Sequence, residues 1–469
     1  MNKKLLVVSL LFVANCIFAQ QNTSFWSSSS KGNKTSLDTN LNLPEKDVYV
    51  LNTNGLKQSL LNSPARSSSA SNSETIITLP TGNGTLESFK VYENSILEPS
   101  LALRYPEIKS YIGIGIENPT ATVYFSVSPL GFKSMLLRAD KSAVFIEPIT
   151  KDLSTYTVYQ KSDKVNSFNN FECSIIDDVK NQTDSSVLRP NADDGTLRTF
   201  RLAMSVTAEY TSYFGGTKAL ALAAINNTMT RVNGVFEKDF SARMVLIANT
   251  DLVIYTNAAT DPYSIGSTGS GGAWNQELQT TLTNVIGNTN YDIGHLFGAS
   301  GGGGNAGCIG CVCKNPTTSI PLGKGSGYTS PSNNIPSGDA FDIDYVAHEM
   351  GHQFGANHTF APESDADWTA WENMIKALLS ADYWCTLDYD VFYVKEVLEL
   401  GFDEYNNFIN MISVKLPYIK QFNYNATLKL DDIDFDSTNP GVWTHSLHKL
   451  MDRRKFTPWT DYSKDEVIK

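Results

Sequence analysis

Histidine, basic charge and long apolar runs are all scarce in this chain, and each shortage narrows what the chain can be. Lys and Arg number 37 against 49 Asp and Glu, a formal net charge of -12. That balance argues against nucleic acid or an anionic membrane surface as the natural partner. Beyond the N-terminal segment no stretch reaches the roughly 18 consecutive apolar residues of a membrane helix, so no stable membrane span is expected. No internal repeat is found. At 469 residues the chain is long enough for two or three domains, each with its own core.

Cysteine is also sparse, with six in all. Cys16 lies within "MNKKLLVVSLLFVANCIFAQQ", where two lysines precede an apolar run and then small and polar residues, the pattern of a secretory signal peptide cleaved near Ala19. Asn15 before Cys16 disfavours a lipoprotein anchor. The mature protein is therefore expected to be secreted or extracytoplasmic, with residues 1–19 removed. Five cysteines remain: Cys173, Cys308, Cys311, Cys313 and Cys385. In an oxidising compartment an odd count leaves at least one thiol free, metal-bound or paired between chains. "CIGCVC" at 308–313 contains a C-x-x-C that suits a zinc half-site or a redox pair, but without a second cluster its spacing favours local disulfide chemistry.

Texture divides the rest. Residues 20–75 are rich in Ser and Asn and read as polar loops or extended arms. From 76 to 177, short alternating runs such as "TIITLP", "LESFKVYE", "TATVYFSVSP" and "SAVFIEPI" indicate a β-rich domain. A polar linker spans 178–196. From 197 to 360, strand-like and helix-like segments alternate. "LRTFRLAMSV", "ARMVLIA" and "YDIGHLFG" read as strands, while "TKALALAAINNTMTRVNGVFEKDF" and "NQELQTTLTNVIG" read as helices, predicting a mixed sheet. Residues 361–469 change again to amphipathic helical patterns with 11 Lys and Arg against 19 Asp and Glu. The expected fold class is multidomain α+β: a β-rich domain, a mixed-sheet and helix domain, then a mainly helical acidic tail.

Three of the six histidines are crowded into "HEMGHQFGANHTF" at 348–360. If 345–354 is helical, His348 and His352 are four apart and project from one face. Gly355 lets the helix stop and the chain swing His358 back beside them. Three neutral imidazoles so placed suit a tetrahedral Zn2+ with its fourth position open to water. Glu349, following the first ligand, lies to the side of the metal and is the candidate general base. His295 in "YDIGHLFG" reads as a sheet histidine, His445 and His448 have no ligand spacing, and "DDIDFD" at 431–436 reads as a solvated acidic turn.

"HEMGHQFGANHTF" matches the extended zinc signature of the metzincin metallopeptidases. Asn357 before the third histidine and Thr359 after it resemble the reprolysin, or adamalysin-like, branch. Residues 197–360 resemble the upper subdomain of that branch as seen in secreted bacterial peptidases, and the run from "ESFKVYENSILEPS" to "SPLGFKSML" resembles its propeptide. The resemblance implies a zymogen of a zinc endopeptidase acting on protein or peptide substrates. His348, His352 and His358 would hold one catalytic Zn2+, and Glu349 would activate the zinc-bound water. The peptide would lie as an extended strand along the sheet edge. Cys173 is the candidate thiol for a cysteine switch, with a disulfide or an ordinary buried thiol as alternatives.

No methionine turn of the kind expected after the third histidine is found in the sequence. Met374 and Met411 sit in apparent helices and read as core residues. Residues 361–469 are thus either a divergent lower subdomain or an unrelated helical replacement, and the abrupt change near Phe360 favours replacement. The alternative function is a non-catalytic zinc-binding exported protein whose catalytic domain lost its lower half.

Overall fold

Alternation in the N-terminal half produces one large antiparallel sheet. The structure, a computed structural model, describes residues 24–29, 35–37, 41, 43–45, 47–66, 73–82, 84–139, 141–163 and 196–356. All of these fall in a single compact unit. The expected signal peptide, Cys173, Cys385, His358, Met374, Met411, His445, His448 and the 361–469 tail lie outside the described residues.

The sheet's strands are β1 (Trp26–Ser28), β2 (Asp47–Leu51), β3 (Ile76–Pro80), β4 (Leu86–Glu93), β5 (Lys109–Gly115), β6 (Thr122–Ser128), β7 (Gly131–Arg138), β8 (Lys141–Pro148) and β9 (Thr155–Gln160). They pair in the order β1-β2-β9-β8-β7-β6-β5-β4-β3, a meander from β3 to β9 with β2 and β1 added at its end. Two short helices accompany them, α1 (Thr53–Leu60) and α2 (Pro99–Arg104). One face forms its own core from Phe89, Val123, Phe125, Phe132, Val144 and Tyr156. The opposite face carries Tyr124, Met135, Phe145 and Tyr159, which pack against Val235 and Ile343 of the following segment. Period-two alternation therefore divides apolar residues between two buried faces, so several strands are buried along nearly their whole length.

The stretch 20–75 departs from its reading as loops and arms. It supplies β1, β2 and α1, because Trp26, Tyr49, Leu51, Leu56 and Leu60 all bury in the sheet's core. Few apolar residues among many polar ones are enough when β2 finds β9 as a hydrogen-bonded partner.

Residues 196–356 form three layers. The sheet has β10 (Arg198–Val206), β11 (Ala242–Leu246), β12 (Ile293–Phe297), β13 (Gly304–Asn305) and β14 (Gly327–Thr329), ordered β11-β10-β12-β14-β13. All neighbours are parallel except β13 against β14. Helices α3 (Ala208–Tyr213) and α4 (Lys218–Asp239) follow β10, and α5 (Trp274–Val285) precedes β12. Leu202, Met204, Ile293 and Phe297 face α4, whereas Ala203 and Leu296 face Trp274, Leu278 and Leu282 of α5. On the α4 side the chain enters a π-helical segment, Ala340–Ala347, and continues into α6 (His348–Phe354). The reading of 345–354 as one helix holds in its α-helical part, with the wider π winding before His348 as the difference.

Candidate metal centre

Phe341, Tyr345, Val346 and Met350 anchor the π segment and α6 in the core shared with α4. That leaves the other side of α6 for His348 and His352. Their Nε2 atoms are 3.0 Å apart, with ring centroids separated by 4.6 Å. Two imidazole nitrogens bound to one tetrahedral zinc at about 2.0–2.1 Å would be about 3.3 Å apart, so this pair fits such an ion without rebuilding the helix.

The backbone fixes which nitrogen of His352 carries a proton. Nδ1 lies 2.7 Å from the Ala356 carbonyl. A carbonyl only accepts, so Nδ1 donates and Nε2 keeps its lone pair. Ala356 reaches this position because Gly355 adopts φ 113°, a left-handed turn closed to most side chains. Gly355 N and Ala356 N cap the carbonyls of His352 and Gly351 at 2.9 and 3.0 Å.

Glu349 is completely buried. Its carboxylate lies against Gly304 of β13, where an added Cβ would come within 2.4 Å of Oε1. The terminal strand of the sheet is thus in contact with the carboxylate between the two histidines in sequence. Gly304 and Ala356 are the positions sequence reasoning missed. Gly304 is one of four consecutive glycines with no local signal to distinguish it, and Ala356 acts through its carbonyl.

His295 is fully buried on β12 as a sheet histidine. Its Nδ1 meets Gln353 Oε1 at 2.7 Å and its Nε2 meets the Thr329 hydroxyl at 2.9 Å. Burial pushes its pKa down to about 4 against the opposing effect of the hydrogen bond that Gln353 Oε1 accepts. Gln353 also donates through Nε2 to the Gly294 carbonyl at 2.9 Å, tying α6 to β12. Cys308 and Cys311 form a disulfide, and Cys313 is free and exposed. Among the described residues no three metal-ligating side chains lie together. His358, the third histidine of the motif, and Cys173 fall outside them.

A parallel-rich sheet with an antiparallel terminal strand, backed by a helix bearing His-Glu-x-x-His, is an arrangement suited to a metallopeptidase. Residues 196–374 match the metallo-peptidase family M12B, reprolysin-like, and this segment belongs to the reprolysin-like metallopeptidases. A comparison with curated proteins finds no match. Among the described residues no helix is long and apolar enough to cross a membrane.

Proposed function

We propose that the chain is an exported zinc-dependent endopeptidase made as a zymogen. The observation that carries this reading is the 3.0 Å approach of His348 and His352 Nε2, on a helix whose buried Glu349 touches the terminal strand of the sheet. His348, His352 and His358 would hold the metal. Zinc, when bound, supplies a Lewis acid that polarises the scissile carbonyl and acidifies water beside it.

The remaining work belongs to the chain. Ala356 holds the His352 ring in the tautomer with a free Nε2. Glu349 accepts the proton of the attacking water and returns it to the leaving amine. Its burial limits competing solvent. The peptide adds to β13 as an extended strand, which brings its backbone past Gly304 and the Glu349 carboxylate. Export is supported by the N-terminal pattern of two lysines, an apolar run and Ala19. The zymogen reading is supported by the nine-stranded sheet, which packs directly on the segment matching the peptidase family.

Hydrolysis of a denatured protein such as casein tests the proposal. Cleavage after removal of the N-terminal sheet should be blocked by a chelator and by Glu349→Ala, and stoichiometric zinc should be lost in His352→Ala. Zinc retained without any chelator-sensitive cleavage would overturn the peptidase reading in favour of a non-catalytic zinc protein.

A further inference from the structure

The loop between the terminal strand β13 and residue 314 is fastened to the end of the histidine helix. It turns on Gly307 and Gly310, at φ 67° and 65°, and the Cys308–Cys311 disulfide closes a ring that contains Gly310. From within that ring, Gly310 N donates to the His352 carbonyl at 3.0 Å, and just beyond it Val312 N donates to the Gln353 carbonyl at 3.3 Å. Carbonyls in the last turn of a helix have no intrahelical donor and need such partners. Gly310 also lies against Gly355: a Cβ built on either would sit 3.6 Å from the other's Cα. Val312, like Phe354, packs against the core that includes Met350. The loop's own ends are held by Asn305 Oδ1, which accepts from Gly307 N at 2.6 Å, and by Cys313 N, which donates to the Asp292 carbonyl at 2.8 Å.

These contacts form a continuous path from the disulfide to the metal-facing ring. The disulfide restricts Gly310, and Gly310 supports both the His352 carbonyl and the Gly355 turn. That turn presents the Ala356 carbonyl, which in turn orients His352 through Nδ1. We infer that the Cys308–Cys311 disulfide is a clamp on the C-terminal turn of α6, making Cys308 and Cys311 positioning residues for His352. The metal-affinity part of this inference rests on His352 being a zinc ligand. Without the disulfide, Ile309 and Gly310 regain backbone freedom, and the second donor to the His352 carbonyl, beside Gly355 N, is no longer held in place.

The test uses the full chain carrying Glu349→Gln, which prevents self-cleavage. Its disulfides are left oxidised or are reduced with a trialkylphosphine that is then removed. In that reaction the S–S bond breaks, two thiols form on the chain, and the phosphine takes the oxygen of a water molecule to become its oxide. Zinc affinity is read by competition with a chromogenic chelator, and amide exchange at Gly355 and Ala356 by mass spectrometry. Reduction should weaken zinc binding about 10–100-fold, the usual cost of losing a group that orients a ligand. It should also accelerate exchange at Gly355 and Ala356 while β10 and β12 stay protected. Cys308→Ser/Cys311→Ser should reproduce both effects and no longer respond to the phosphine, whereas Cys313→Ser should behave as the parent. Reoxidation of the reduced parent by oxidised glutathione, which is itself reduced to two thiols, should restore affinity. Unchanged affinity and exchange in the double variant would overturn the clamp. An oxidised parent that binds no zinc would instead overturn the ligand reading, and amide exchange would still decide whether the disulfide holds the turn.

Discussion

Replacing Arg231 with methionine tests how the N-terminal sheet and the peptidase segment are joined. Arg231 on α4 and Glu147 on β8 have side chains only 1% exposed, and Asp342 on the π segment is 3% exposed. The guanidinium lies 2.7 Å from Glu147 Oε1 and 2.9 Å from Asp342 Oδ2, and it donates to the Ser134 carbonyl at 3.1 Å. Lys133 holds the other oxygen of Glu147 at 3.0 Å, whereas Asp342 also accepts a hydrogen bond from the Thr228 hydroxyl at 2.7 Å. Burial raises the Asp342 pKa in spite of Arg231 and Lys133. Burial also pushes Glu147 up, but Arg231 and Lys133 outweigh it and hold that carboxyl down to about 2. Glu147 therefore contributes stability that is present above its ordinary pKa of about 4.3 and lost as pH falls towards about 2.

Without Arg231, Glu147 keeps its direct ion pair with Lys133, whereas Asp342 keeps Lys133 only as a cation beyond ion-pair distance. Neutralising an ordinary aspartate at pH 7 costs about 4 kcal/mol, in line with the roughly 3–5 kcal/mol for removing one partner of a buried ion pair. Arg231→Met should therefore destabilise by about 3–5 kcal/mol at pH 7. Protonation becomes easier by about 1.4 kcal/mol per pH unit, so the penalty should fall to about 1–2 kcal/mol at pH 5. Asp342→Asn in the same chain should recover most of the loss by removing the uncompensated charge. The assay is hydrogen exchange of β8 and α4 amides against urea concentration, in the Glu349→Gln background. A penalty below about 1 kcal/mol at pH 7, or one equal at pH 5 and 7, would refute desolvation of these charges as the basis of the coupling.

Three further outcomes follow from the site. His295 is held neutral with its pKa near 4, below its ordinary value of about 6.5, so its contribution is intact above about 6.5 and declines as pH falls towards 4. Between pH 7 and 5 that decline is about 2 kcal/mol, and His295→Gln should flatten it in urea titrations; identical slopes would contradict the assignment. Gly304→Ala places a Cβ 2.4 Å from the Glu349 carboxylate, so kcat should drop about 10–100-fold through misplacement of the base with KM little changed; a rise in KM alone would argue against that contact. Gly355→Ala must hold a Cβ at φ 113° and should cost about 1–2 kcal/mol with weaker zinc retention, read by thermal melts and metal analysis. Wild-type melting would show that the turn tolerates a side chain.

Much of this arrangement is legible in short stretches of sequence. The four-residue spacing of His348 and His352 and the helix stop at Gly355 follow from helix geometry and from glycine's freedom at positive φ. The alternating runs that become β3 to β8 and the three-and-four spacing of α4 follow from strand and helix periods. Other features had no local signature. β13 and β14 are two and three residues long and lack an apolar period, so only pairing with each other and with β12 makes them strands. The same holds for β1 and β2 in the Ser- and Asn-rich stretch, which become strands by pairing with each other and, through β2, with β9. Glu147, Arg231 and Asp342 each read as ordinary charges on separate elements, yet they bury together. Gly304 meets Glu349 across 45 residues of chain. Periodicity records what neighbouring residues do to one another. Partners brought together by folding leave no spacing to read, so the chain alone determined the histidine helix and the tertiary structure decided what surrounds and fastens it.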